Sequence, residues 1–184
     1  MKVRVVAHDP SWCVAYQREA KRIRGALGRI VVELHHIGST AIPGILAKPI
    51  IDLCLEVCDT RQLDGANSAM EALGYAARGE FGIPGRRLFL RDNASGIRTH
   101  HVHAFETGSP EVRRHVAFRD YMIAHPNAAE AYSRLKGQLA RDHANDREAY
   151  IAGKEPFIEQ YQARALVIEQ YQARALVWSD LQGL

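Results

Sequence analysis

Residues 50–57, IIDLCLEV, alternate with a period of two. In an extended chain Ile51, Leu53, Leu55 and Val57 fall on one face, and Ile50, Asp52, Cys54 and Glu56 on the other. The first face can only be core. The second puts a carboxylate inside an otherwise apolar strand, which is costly unless the carboxylate is paired, binds a metal or faces a cleft. Any fold for this chain must therefore pack the strand on one side and give Asp52 a partner, an ion or a cleft on the other.

The neighbouring residues favour a site. Upstream, HHIGSTAIPGILAKP offers Gly38, whose bare backbone can approach a ligand, and the hydroxyls of Ser39 and Thr40. Free N–H groups in such a turn can cradle phosphate oxygens. Lys48 adds a positive charge, Pro43 and Pro49 stiffen the loop, and His36 lies just before the turn. The loop lacks the spacing of a Walker A motif. In RTHHVHAFE, residues 98–106, the same alternation places Thr99, His101 and His103 on one face, opposite His100 and Val102. Two imidazoles at i, i+2 can bind a metal or a phosphate, and Asp52 from a neighbouring strand would complete a His-His-Asp set. The plainer alternative is a structural histidine hydrogen-bonded to Asp52.

Arg86 and Arg87 follow a Gly-rich loop, and strand parity sends only one of them toward the site. Arg119, a further candidate for binding phosphate, lies in FRDY, where Phe118, Tyr121 and Met122 suit one packed helix face and Arg119 can instead pair with a neighbour. Tyr132 and Lys136 stand at i, i+4, able to close over a ligand or simply to pack. Cys54 and Cys58 are read as small core residues.

Along the chain, residues 3–6 suggest a short first strand. Asp9 or Ser11 can cap a helix ending at Gly28, and 29–37 reads as a strand. After the strand at 50–57, Asp59 or Thr60 opens a helix that stops at Gly74. A loop with Gly79, Gly82, Pro84 and Gly85 precedes a strand at RRLFLRD. From Ser109-Pro110 onward the pattern is helical. The expected class is α/β (α+β), a mixed sheet with flanking helices and a helical C-terminal part, forming one domain over 1–184. IEQYQARALV occurs at 158–167 and again at 168–177. Ten residues leave the second copy rotated by about 80° from the first, so the apolar stripe drifts. This reads as a duplication lengthening the last helix.

The formal charge is +3 with basic residues dispersed, compatible with a small anion and a poor footprint for nucleic acid. There is no membrane-spanning run and no signal sequence at MKVRVVAHDP, and the three cysteines form no C-x-x-C pair. A cytoplasmic location is expected. The oligomeric state is left open, a homo-oligomer included.

HIGSTAIPGILAKPIIDL (36–53), GRRLFL (85–90), RTHHVHAF (98–105) and FRDYMIAHPNAAEAYSRLK (118–136) together resemble the GrpB family (UPF0157), also found fused to dephospho-CoA kinase. The Gly-Ser turn followed by an aspartate on the next strand is similar to the nucleotidyltransferase superfamily pattern. The resemblance implies a minimal nucleotidyltransferase-like fold and no assigned reaction. It also implies Mg²⁺ or another divalent metal at Asp52, but nucleotidyltransferases of the polymerase type carry a second carboxylate two residues on. Here that position is Cys54, a poor Mg²⁺ ligand. Glu56 lies about 13 Å from Asp52 along the strand, too far to share an ion. The expectation is a protein that binds a nucleotide or other phosphate-bearing molecule with a degenerate metal site. The alternatives are an active nucleotidyl- or phosphoryl-transferase, and an interaction or folding-assistance domain linked to CoA metabolism.

Overall fold

A computed structural model describes residues 3–182, with side chains described as far as 171. The chain is mixed α/β. Helix α1 (Ser11–Leu27) leads through a short 3-10 turn into strand β1 (Val31–Ile37). Strand β2 (Ile51–Val57) follows the Gly-Ser loop. Two short helices come next, α2 (Thr60–Gly65) and α3 (Asn67–Ala72), then strands β3 (Ala76–Ala77), β4 (Arg87–Asp92) and β5 (Arg98–Glu106). Helices α4 (Pro110–Ala124), α5 (Pro126–Asp142) and α6 (Arg147–Gln182) complete the described chain.

The ends of these helices follow their sequences. The Asp9 carboxylate accepts the Ser11 N–H at 2.8 Å as α1 begins, and Gly28 ends that helix. Asp59 caps α2 through the Arg61 N–H, and Ser109 caps α4 ahead of Pro110. The single helix expected up to Gly74 is two, broken at Ala66. Residues 3–6 are not a sheet strand: Val6 bridges Ala47 and Val3 donates to the Ala144 carbonyl at 2.7 Å, so their backbone bonds go to two separate loops and not to one neighbouring strand.

The five strands run in the order β1-β2-β5-β4-β3. β2 and β5 are parallel; the other pairs are antiparallel. Helices α1 and α3 cover one face, where Ile23, Leu27, Leu53, Leu55, Phe89 and Val102 form the main core. On the other face, Ile37, Cys54, Phe105 and Val112 make a smaller cluster under α4. Ile42 and Ile45 of the Gly-Ser loop pack with Phe118, Met122 and Tyr132 from α4 and α5. The loop after β1 is thereby clamped between the sheet and the helical layer.

Helix α6 carries both copies of the repeat. Ile158 and Tyr161 of the first copy pack against the α4–α5 cluster, while their equivalents Ile168 and Tyr171 are exposed, Tyr171 by 68%. The rotation between copies turns the second away from the packed face. The rest of that copy lies outside the described side chains. Among the described residues no helix is long and apolar enough to cross a membrane.

Candidate functional site

The parallel register of β2 with β5 sets Asp52 beside His101 and Cys54 beside His103. Paired residues of adjacent strands share a face, so the carboxylate and both imidazoles project from the same side of the sheet. His101 Nδ1 donates to Asp52 Oδ1 at 2.8 Å, and His103 Nε2 lies 3.9 Å from the same oxygen. Burial by itself would raise the Asp52 carboxyl, but hydrogen bonds from the two histidines and their charge outweigh it. Together they hold the group well below the usual carboxylate range. The three side chains keep 18–26% exposure, enough for a ligand to reach them.

The Gly-Ser turn closes over this carboxylate. Gly38 has φ +70° and ψ −171°, a backbone that side chains rarely adopt. Ser39 Oγ accepts from Lys136 Nζ at 2.8 Å, and the same ammonium donates to the Leu46 carbonyl and lies 4.3 Å from the Tyr132 ring centre. Lys136 is 1% exposed, and burial and the charge of Lys154 bring its pKa down to about 7. Expected as a phosphate ligand, it is a buried clamp holding the loop to α5.

His36 and Thr40, also expected to touch ligand, brace the turn from within. Thr40 is buried and donates to the Ile50 carbonyl at 3.2 Å, so its oxygen accepts from His36 Nε2 at 3.0 Å. The His36 ring stacks on Tyr16 at 4.7 Å, and burial lowers its pKa to about 4, leaving it neutral. Arg119 is likewise committed: it donates to the His36 carbonyl and to Asp120, tying α4 to β1.

Of the two arginines, Arg86 lies on the site's side. It is 7% exposed and donates to the Glu80 and Phe81 carbonyls, with Nη1 3.5 Å from His103 Nδ1. Arg87 faces the other way and forms two bonds to Asp64, at 2.6 and 2.8 Å. That ion pair removes Arg87 from the candidate ligands. His35 pairs with Glu56 at 2.7 Å, which occupies the distant carboxylate of β2.

Lys48 is half-buried, its ammonium 4.6 Å from the centre of the Tyr150 ring. Lys154 approaches the same ring at 4.8 Å. Burial lowers both lysines, Lys154 to about 8; the Asp52 charge acts on both in the opposite sense. Sequence reasoning passed over Lys154 and Tyr150. A signal was present, since Tyr150 and Lys154 repeat the i, i+4 spacing of Tyr132 and Lys136. His115 of α4 was also missed: it is half-buried beside His103, ring centres 5.8 Å apart, and desolvation pushes its pKa down to about 3.

Cys54 does not belong to the open site. It is fully buried against Ile37, Phe105 and Val112, and burial pushes its thiol up to about 12. Cys58, expected in the core, is exposed. With Cys54 excluded and Glu56 engaged, Asp52 has no second carboxylate among the described residues to hold a pair of Mg²⁺ ions, so those residues do not fit that metal arrangement. The Asp52, His101 and His103 donor atoms all lie within 4.8 Å of one another.

The description of the GrpB protein family matches residues 2–164. The UPF0157 protein YqkA of Bacillus subtilis (strain 168) is 41% identical over 89% of this chain and 47% of its own length. A dephospho-CoA kinase of Mycolicibacterium paratuberculosis is 27% identical over 89% of this chain and 46% of its own. The chain thus spans about half the length of these two relatives. The crystal structure of the conserved protein GrpB from Enterococcus faecalis superposes with a TM-score of 0.85 at 35% identity, over 92% of this chain and 99% of that one. The chain belongs to the GrpB family.

Proposed function

We propose that the partly exposed Asp52–His101–His103 face, with Lys48 and Lys154 beside it, binds a nucleotide or another phosphate-bearing small molecule. In this reading Lys48 and Lys154 are the cationic partners and the Gly38–Ser39 turn supplies backbone donors. The observation that carries it is the pair of ammonium groups on the Tyr150 ring. Among the described residues neither has a carboxylate within ion-pairing distance, and both are lowered by burial. Half-buried cations without a counter-charge are costly to keep, and a phosphate bound beside them would supply the missing charge. The nucleotidyltransferase-like character of the family supports a nucleotide. The buried Cys54 and the lack of a second carboxylate favour binding over two-metal nucleotidyl transfer.

The test is isothermal titration with ATP, CoA and inorganic tripolyphosphate against wild type, Lys48→Met and Lys154→Met. Loss of either lysine is expected to weaken binding by about 1.5–3 kcal/mol, the range for hydrogen bonds to charged groups. Equal affinity in all three proteins, with the fold intact, removes the lysines from the reading. Preference for CoA over ATP would tie the chain to CoA chemistry, as the name of the kinase relative suggests.

A further inference from the structure

We propose that Asp52, His101 and His103 bind a single divalent ion of the zinc or cobalt class. The donors decide the class. Two imidazoles and one carboxylate suit borderline transition ions, whereas Mg²⁺ favours an all-oxygen shell.

The geometry fits one ion with little movement. Metal–ligand bonds of about 2.0–2.1 Å separate neighbouring donors by about 2.9 Å at right angles and about 3.4 Å at tetrahedral angles. The distances here are 2.8 Å for His101 Nδ1 to Asp52 Oδ1 and 3.9 Å for His103 Nε2 to the same oxygen, and the third pair lies within 4.8 Å. Closing the cluster takes shifts of about 1.5 Å at most. The strands fix the imidazoles through the register of β5 against β2, so side-chain rotation alone supplies the adjustment.

Among the described residues the site has three protein ligands. Cys54, the soft donor next along β2, is turned into the apolar cluster, and Glu56 is held by His35. His103 is the weakest of the three, because Arg86 Nη1 faces its Nδ1 at 3.5 Å, the far limit of a hydrogen bond. A metal-bound imidazole instead prefers an acceptor at its second nitrogen. Remaining coordination positions open toward solvent through the partly exposed ligands, leaving room for water or an anionic group. The site stands independently of the phosphate reading, because the metal alone is the probe.

Co²⁺ is titrated into the metal-free full chain while visible absorption is followed. One equivalent is expected to bind with d–d bands, to be displaced by Zn²⁺ and to resist a hundred-fold excess of Mg²⁺. His101→Ala and His103→Ala should each lose the bands, while His35→Ala, at the Glu56 end of the strands, should keep them. Should a histidine variant fail to fold, ¹⁵N shifts of the imidazoles in wild type on adding Zn²⁺ give the same answer, with His101 and His103 responding and His35 silent. Absence of stoichiometric binding, bands that survive both site substitutions, or displacement by Mg²⁺ would each overturn the proposal.

Discussion

Gly38 lies directly against Asp52. A Cβ built on Gly38 would stand 2.5 Å from Asp52 Oδ2 and 3.1 Å from its Cβ and Cγ. The contact is possible only without a side chain, and the φ of +70° with ψ near 180° is itself a glycine conformation. Gly38→Ala should therefore both strain the turn and push the carboxylate from His101. We expect a loss of about 1–3 kcal/mol in urea unfolding. The imidazole resonances of His101 should shift in the folded variant. Unchanged stability would mean that the turn relaxes at no cost.

Lys136 joins the same turn to α5 through Ser39 and Leu46, and it titrates near neutrality. Its folded pKa of about 7 lies below the ordinary 10.5, so the unfolded chain holds more protons between these values. The penalty for burying the ammonium is present below pH 7 and is relieved as pH rises toward 10. The stability of wild type relative to Lys136→Met should accordingly climb with pH over that window, with a slope of at most about 1.4 kcal/mol per pH unit. Chemical denaturation of both proteins at pH 7, 8 and 9 measures it; a flat difference would show that the ammonium stays fully compensated by the Leu46 carbonyl and Ser39.

On the opposite face of the sheet Glu19 is 2% exposed and accepts from Arg91 at 2.6 Å, Arg22 at 2.9 Å and the Tyr75 hydroxyl at 3.0 Å. Burial raises its carboxyl, yet the two arginines and the tyrosine outweigh it and lower the pKa below 4.5. The stabilisation is thus present above 4.5 and lost as pH falls through the folded value. Glu19→Gln leaves Arg91 without its counter-charge and should cost about 3–5 kcal/mol at pH 7. It should also flatten the acid limb of the stability profile. A loss under 1 kcal/mol, read by thermal or urea unfolding, would contradict this account of the cluster.

Local features carried most of what the sequence disclosed. Period-two alternation identified the faces of β2 and β5, and with them the company of Asp52, His101 and His103. Glycine and capping residues located the helix ends. The assignments that failed depend on partners far away in sequence. Arg87 is removed from the site by Asp64, 23 residues earlier, and Lys136 is turned inward by Ser39, 97 residues earlier. Residues 3–6 look like a strand by composition but meet only isolated loop residues, Val6 with Ala47 and Val3 with the Ala144 carbonyl. Glu19 gave no local sign of its bond to Arg91, 72 residues on. Strand parity says which way a side chain points; it does not say what is waiting there.

Cys54 tests how far the site has departed from a carboxylate pair. By spacing alone, Cys54→Asp would restore the second acid two residues from Asp52 and raise Mg²⁺ affinity. The fold changes that expectation. Position 54 has no exposure and packs among Ile37, Phe105 and Val112, with α4 above it. A carboxylate there would be desolvated, with no cation bonded to it and the Asp52 charge close by. We expect Cys54→Asp to lose about 3 kcal/mol or more, by analogy with an uncompensated buried charge, and to gain no Mg²⁺ site. Cys54→Ala, which keeps the pocket apolar, should cost far less. Urea unfolding of both variants, with and without Mg²⁺, separates the outcomes. If Cys54→Asp instead folds with wild-type stability and Mg²⁺ stabilises it, α4 can lift from the sheet and the second metal position survives in this chain.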